Sequence, residues 1–323
     1  MMRRARLGLS IGVALAAVIG GGVYVAMGYE PGGDSSYDTS VAEPALANIH
    51  PRVLFDHGHQ NVHSASGRYR AFATLITSDG CRVTSGSGEL TPAALGAADI
   101  LVVVNARGPK ADRAAPAFTP AECEATRAWV EAGGSLLLVA DHHPCGEAAA
   151  GLALRLGVEM SGGWTDDEAN ARAGSGDPGQ LVFSRAKGQL GEHAITRGRR
   201  EGEAVAVVES FTGQSLKGPS QSTPLLVLAD SAMDRTPVAS QSKTEGSTTT
   251  TTFTTRDSSA AGRCQGLAMQ VGKGRVVVLG EAAMLTAQID DKTGKAFGMN
   301  APDNDNRAFA LNVVRWLAGA LGE

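Results

Sequence analysis

The stretch Arg52-Val53-Leu54-Phe55-Asp56-His57-Gly58-His59-Gln60-Asn61-Val62-His63 decides how the chain is read. A short apolar run, Val53 to Phe55, ends abruptly in an acid and three histidines. A strand buried on both faces of a parallel sheet reads this way when it delivers polar groups to the rim. A second run, Leu136-Leu137-Leu138-Val139-Ala140, ends alike in Asp141-His142-His143. Five of the seven histidines follow these two runs. In an open α/β sheet, the loops after the carboxyl ends of the strands form the ligand crevice. The two runs therefore predict a rim site built from residues 56–63 and 141–147.

Outward from these runs, strands and helices alternate. Residues 67–78 read as a helix with Tyr69, Phe72, Leu75 and Ile76 on one face. Residues 81–84 read as a short strand, and Ile100 to Val104 as a fully buried one. Thr91-Pro92 and Thr119-Pro120 each open a capped helix, and Gly133-Gly134 stops the second. A further helix is expected from about Cys145 to Leu156. This alternation predicts an α/β fold, a mainly parallel sheet with helices on both faces and right-handed crossovers. In the second half, residues 181–183, 204–208 and 225–228 read as strands. Residues 266–271 and 275–279 form a β-hairpin around Gly272-Lys273-Gly274. A closing helix starts at Asp303 or Asn304 and turns Phe309, Val313, Trp316 and Leu317 to the sheet. Residues 240–262, with Thr248 to Thr252 and almost no apolar side chain, read as a mobile low-complexity excursion.

The chain has 323 residues and is 43% hydrophobic, enough for a large core. Its net charge is −4 with no basic block beyond the N-terminus, which argues against nucleic acid as a partner. Arg3, Arg4 and Arg6 form a basic tail, residues 1–6, before an uncharged stretch, residues 7–28. That length is close to the ~20 residues that cross a bilayer as a helix. It reads as a transmembrane anchor, with signal cleavage and secretion as the alternative. The charge order predicts a cytosolic N-terminus and a domain outside the cytoplasmic membrane, with the membrane itself as partner. Residues 29–50, with Pro31, Gly32 and Gly33, read as a linker, and residues 51–323 as the α/β domain.

Taken together, the chain resembles the class I glutamine amidotransferase-like superfamily, with its flavodoxin-like sheet. Within it, the closest likeness is to ThuA-like domains and to a bacterial family known only as a domain of unknown function. The stretches that carry the resemblance are Val53-Leu54-Phe55-Asp56 with His59, Asn61 and His63; Gly133 to His142; His193 to Gly198; Gly274 to Ala282; and Asn306 to Asn312. The resemblance implies the fold and assigns no activity. A working amidotransferase has its nucleophile in a Gly-x-Cys-x-Gly turn and a late His-x-Glu pair. No cysteine here has that setting and no histidine follows His193, so glutaminase chemistry of the usual kind is not expected.

The candidate catalytic groups are His63, His142 and Glu281; the candidate ligand-binding groups are Asp56, His59, Asn61 and Asp141. Imidazoles and carboxylates at strand ends can supply general acid and base. They can also hold a transition metal, for which His59, His63 and His142 are the donors, although no metal and no cofactor is specified by the pattern. The bland alternative is that the acids cap turns, Glu281 included, and the histidines bond loop backbone. Trp164 with Asp166 and Asp167 reads as a surface turn or a sugar-facing platform. Cys145 and Cys264 both fall on the carboxyl-end rim and form the candidate disulfide; a helix N-terminus makes Cys145 a competing nucleophile. Three functions stay open. The first is an anchored extracytoplasmic domain that binds a small polar ligand, carbohydrate among the candidates. The second is a His/carboxylate hydrolase with or without metal, and the third a non-catalytic assembly domain.

Overall fold

The computed structural model describes residues 15–19, 22–26, 33–245, 248–290 and 293–322. Nine strands form the main sheet: β1 Arg52–Asp56, β2 Arg82–Gly86, β3 Ile100–Val104, β4 Ser135–Val139, β5 Glu159–Met160, β6 Leu216–Lys217, β7 Thr223–Val227, β8 Cys264–Val271 and β9 Gly274–Leu279. Among the described residues, six α-helices accompany them: α1 Arg70–Ser78, α2 Pro92–Gly96, α3 Pro120–Glu131, α4 Cys145–Arg155, α5 Ala194–Arg197 and α6 Asn306–Leu317.

The expectation of a mainly parallel sheet is corrected. The order β2-β1-β3-β4-β9 is parallel, but β8 returns antiparallel to β9, and β6 and β7 both run antiparallel to β8. The β5 strand adds antiparallel to β6, which makes the sheet mixed. Separate small sheets stand beside it, among them Val182–Ser184 with Val207–Glu209 and Ala287–Ile289 with Ala296–Gly298. The physical reason is connection length. A Gly272-Lys273 turn is too short for a crossover and can join only antiparallel neighbours.

The transmembrane helix expected over residues 7–28 lies largely outside the described residues. Its two described pieces, Leu15–Ile19 and Gly22–Ala26, are strands paired antiparallel. Among the described residues, no helix is long and apolar enough to cross a membrane. The chain divides into two units, residues 1–31 with 237–256, and residues 32–236 with 257–323. The excursion expected over 240–262 instead contributes to two long strands, Met233–Glu245 and Thr248–Ser259. Threonine is β-branched, and its stiff χ1 favours the extended chain even without apolar alternation.

Within the larger unit the buried strands split their side chains by parity. Val102, Val104, Leu137 and Val139 join one core with Phe72, Ile76, Phe309 and Trp316; Leu101, Val103, Leu136 and Leu138 join the other with Leu95, Val130 and Leu152. Helices α1 and α6 thus cover one face and α2, α3 and α4 the other. The helix starts follow their caps. Thr119 accepts from the Glu122 backbone and closes a capping box before α3, and Thr91 accepts from Ala94 before α2. At α6, Asp305 is the N-cap, but its carboxylate accepts from Ala206 and Val207 across the loop.

The expected linker is also different. Residues 33–50 pack on the domain: Leu46 is fully buried, Ala45 N donates to Asp79 Oδ1 at 2.8 Å, and Arg307 donates to the carbonyls of Asp38 and Ser40.

Candidate functional site

Strand order reverses beside β1: β2 flanks it on one side and β3, β4 and β9 follow on the other. The crevice at such a switch point lies beyond the carboxyl ends of β1 and β3, where doubly wound sheets take ligands. Asp56 ends β1, Asn105 follows β3, Asp141 follows β4 and Glu281 follows β9. The strands therefore deliver one polar side chain each to the same rim.

The β1 group is an internal clamp. Asp56 accepts from Gly58 N at 2.9 Å, His59 Nδ1 at 2.9 Å and Asn61 Nδ2 at 2.7 Å. Asn61 Oδ1 in turn accepts from Val104 N at 3.2 Å, which ties the loop to β3. His59 Nε2 lies 2.9 Å from Glu122 Oε1, so both ring nitrogens donate to carboxylates. Burial opposes charge on this ring, but Asp56 and Glu122 together raise its pKa above the ordinary value. Glu122 also takes Leu90 N and both donors of Thr119; these bonds overcome burial and hold it down at about 2. With a carboxylate 2.9 Å from each ring nitrogen, His59 presents no free nitrogen to a metal. Among the described residues, no group of three or more His, Cys, Asp or Glu is placed to hold a metal ion.

His63 is buried and stacks on Tyr69 at 5.3 Å, and its Nδ1 has no hydrogen-bond partner. Burial, then Arg68 and Arg107, push its pKa down to about 3, so the ring is neutral. Tyr69 donates to Ala282 O at 2.7 Å and so locks α1 to the loop after β9.

Asn105 takes φ 55°, a left-handed conformation that asparagine tolerates, and its Oδ1 accepts from Asp141 N at 2.8 Å. Burial raises Asp141 to about 7, against bonds from His142, Asn105 and Ala282 that favour its charge. Glu281 is fully buried and accepts from Ala283 N and Met284 N at 2.5 and 2.7 Å. It too is raised, to about 8, by burial and then by the charge of Asp141. Glu281 thus caps its turn, and the rim holds two carboxyls that resist ionising together.

His142 donates through Nδ1 to His143 O at 2.8 Å, which leaves an Nε2 lone pair 4.0 Å from Asp141 Oδ1. Its ring stacks on Trp164 at 5.3 Å, and Trp164 is 4% exposed, a packed platform and not a surface turn. Burial lowers His142 to about 4. The rim thus gathers Asp56, His59 and Asn61 in one cluster and Asp141 with Glu281 in another. No hydrogen bond joins any two of His63, His142 and Glu281. Gln214 escaped the sequence reading. Its Nε2 donates to the carbonyls of Ala140 and Asp141, and its Oε1 accepts from Gly162 N. A lone glutamine between short strands carries no pattern that would have found it. Glu122 was readable as a cap, but its second role toward His59 was not.

The expected Cys145–Cys264 disulfide is not formed; all four cysteines are free and buried. Cys145 opens α4, while Cys264 Sγ lies 3.6 Å from Leu216 O. Burial, then Asp141, push the Cys145 thiol far above its ordinary value, so no thiolate is on hand for nucleophilic attack. The folded protein should resist iodoacetamide at Cys145 near neutral pH and react only after denaturation. Mass mapping that finds fast alkylation of native Cys145 would overturn this.

A family model described as a domain of unknown function (DUF4350) matches residues 64–314. The chain belongs to this family. The DUF4350 domain resembles the mmIFT52 N-terminal domain with a TM-score of 0.55 at 15% identity, over 84% of this chain and 98% of that one. ThuA-like proteins are also among its structural neighbours. One from Parabacteroides merdae scores 0.43 at 10% identity, over 85% and 92% of the two chains. One from Bacteroides uniformis scores 0.41 at 14%, over 88% and 95%. At these identities the likeness is one of fold. No curated protein matches this DUF4350 chain.

Proposed function

We propose that the switch-point rim binds a small polar ligand that carries an acidic group. The observation behind this is Arg107 with Arg113, on the loop after β3. Among the described residues neither forms an ion pair: Arg107 Nε donates to Gln60 O, and Arg113 Nη1 to Gln60 Oε1 and Gly108 O. Burial and then the neighbouring Arg113 depress Arg107, the mark of two cations held together without a carboxylate between them. Such a pair awaits an anion. Asp141 and Arg107 both act on the Cys145 thiol, which supports placing them around one crevice. The partly accessible side chains of Asp141 and His142 offer acceptors and donors for hydroxyls, so a sugar acid or sugar phosphate fits the combination. The internal use of Asp56, His59, Asn61 and Glu281 favours binding over catalysis.

Glucose 6-phosphate, glucose and inorganic phosphate serve as probes in calorimetry. The phosphorylated sugar should bind best, and Arg107→Ala with Arg113→Ala should weaken it at least about tenfold, or ~1.4 kcal/mol. Equal binding by the double variant, or heat from none of the three probes, would sink the reading.

A further inference from the structure

Two groups of the rim are left open by its internal bonds. His142 donates through Nδ1 to His143 O, which fixes the tautomer with a lone pair on Nε2. The His142 side chain is 33% exposed and that of Asp141 16%. Among the described residues, the buried side-chain atoms without a partner include His63 Nδ1 and Trp316 Nε1, but no atom of His142 or Asp141. The unbonded Nε2 of His142 therefore keeps solvent access and can meet a ligand. It lies 4.0 Å from Asp141 Oδ1, so imidazole and carboxyl share one opening. The pair is held before any ligand arrives. His142 N donates to Asp141 Oδ1 at 2.9 Å, Asp141 N donates to Asn105 Oδ1 at 2.8 Å, and Trp164 backs the imidazole at 5.3 Å.

The two groups are matched as base and acid. Burial lowers His142 to about 4 and so leaves its ring neutral, while burial keeps a proton on Asp141 up to about 7. Glu281 and Tyr69 interact with Asp141, and His143, Glu147 and Asp177 with His142. Neighbouring groups whose surroundings push them in opposite directions divide into acid and base. Their separation then selects the chemistry. Hydrolysis of a phosphate ester runs in line, with the attacking and leaving oxygens on opposite sides of phosphorus. Two groups 4.0 Å apart do not straddle such a centre. They do reach two adjacent atoms on one face of a substrate, which is what moving a proton along a carbon–carbon bond requires.

We propose that the rim interconverts an aldose phosphate and its ketose phosphate, with His142 as the base and Asp141 as the acid. This rests on the reading of the rim as a sugar-phosphate site, with Arg107 and Arg113 on the phosphate. His142 Nε2 takes the proton from C2, and the C2–H electron pair forms the C1–C2 double bond. The carbonyl π pair moves to O1, which takes the proton of Asp141. The resulting enediol then gives its O2 proton to the Asp141 carboxylate as the C2 carbonyl forms. C1 takes back the proton held by His142. C1 is reduced and C2 oxidised within one molecule, so the step balances without a further reactant.

Glucose 6-phosphate, mannose 6-phosphate and ribose 5-phosphate are incubated with the full chain in deuterium oxide and followed by proton NMR. At least one should lose its C2 proton signal and yield the ketose phosphate. His142→Gln and Asp141→Asn should each slow this at least about a hundredfold, while calorimetry still finds the sugar phosphate bound. The native rate should rise with pH through about 4 and fall through about 7, which tests the pair without any variant. A sugar phosphate that binds, with no exchange in any of the three, would overturn this inference and leave the binding reading standing. No binding would overturn both. Exchange at the native rate in His142→Gln, or a native rate that still climbs above about pH 8, would remove the acid–base pair.

Discussion

Replacing Arg315 with Met should cost about 3–5 kcal/mol of stability, the usual penalty for leaving a buried charge without its partner. Arg315 is 2% exposed in the last turn of α6 and grips Asp79 through two bonds, Nε to Oδ2 at 2.7 Å and Nη2 to Oδ1 at 2.8 Å. Its third nitrogen reaches Glu203 Oε1 at 3.2 Å. Asp79, 1% exposed, ends α1 and also accepts from Ala45 N. One guanidinium therefore joins α6, the C-terminus of α1 and the 33–50 segment. Met keeps most of the volume and none of the charge. Denaturant unfolding measures the loss, and a cost below about 1 kcal/mol would place the pair among solvent-screened ion pairs instead.

Asp141→Asn should markedly reduce the protein's loss of stability toward mildly alkaline pH. Folding raises Asp141 to about 7 and Glu281 to about 8, whereas both ionise near 4 in an unfolded chain. The folded state holds protons that the unfolded chain has already released. Their stabilisation is full below about pH 4 and is lost as pH rises through 7 to 8, at up to ~1.4 kcal/mol per unit for each proton. Asparagine removes one titration and also the negative charge that lifts Glu281. His63 and His142 act oppositely. Their depressed values stabilise the fold above about pH 6.5, and this is lost on acidification, but equally in both proteins. Urea titrations across about pH 5 to 8 should show a flatter curve for Asp141→Asn. Parallel curves would mean that Asp141 is ionised throughout.

The parts of this molecule that could be read from its sequence share a physical cause. Val53 to Phe55, Ile100 to Val104 and Leu136 to Val139 are unbroken apolar runs because both faces of each strand are covered, and their polar ends mark the rim. The caps at Thr91 and Thr119 are local chemistry and were equally plain. On the antiparallel side the β8–β9 hairpin was legible too, but β5 and β6 are two residues each and have no period to detect. Leu46 stands in a short stretch, Pro44 to Ile49, with no helical or strand period, so its burial leaves no pattern either. At the site, position was legible and role was not. The sequence places His59 at the rim, but only coordinates reveal that Glu122, 63 positions away, uses up its second nitrogen. Arg107 and Arg113 drew no notice because two arginines in a polar loop look like solvated surface until their missing partners are seen.

The attachment of residues 33–50 bears on the order in which the chain can fold as it is made. Synthesis delivers this segment well before α6. Yet Arg307 of α6 holds the carbonyls of Asp38 and Ser40 and stacks over Tyr37 at 5.6 Å, while Arg315 secures the Asp79 that Ala45 needs. The segment cannot be fastened until α6 has left the ribosome. The α2–α3–α4 face, built mostly from residues 90–158, can begin to settle during translation; the α1–α6 face must wait for α6, with its apolar side chains exposed in the interval.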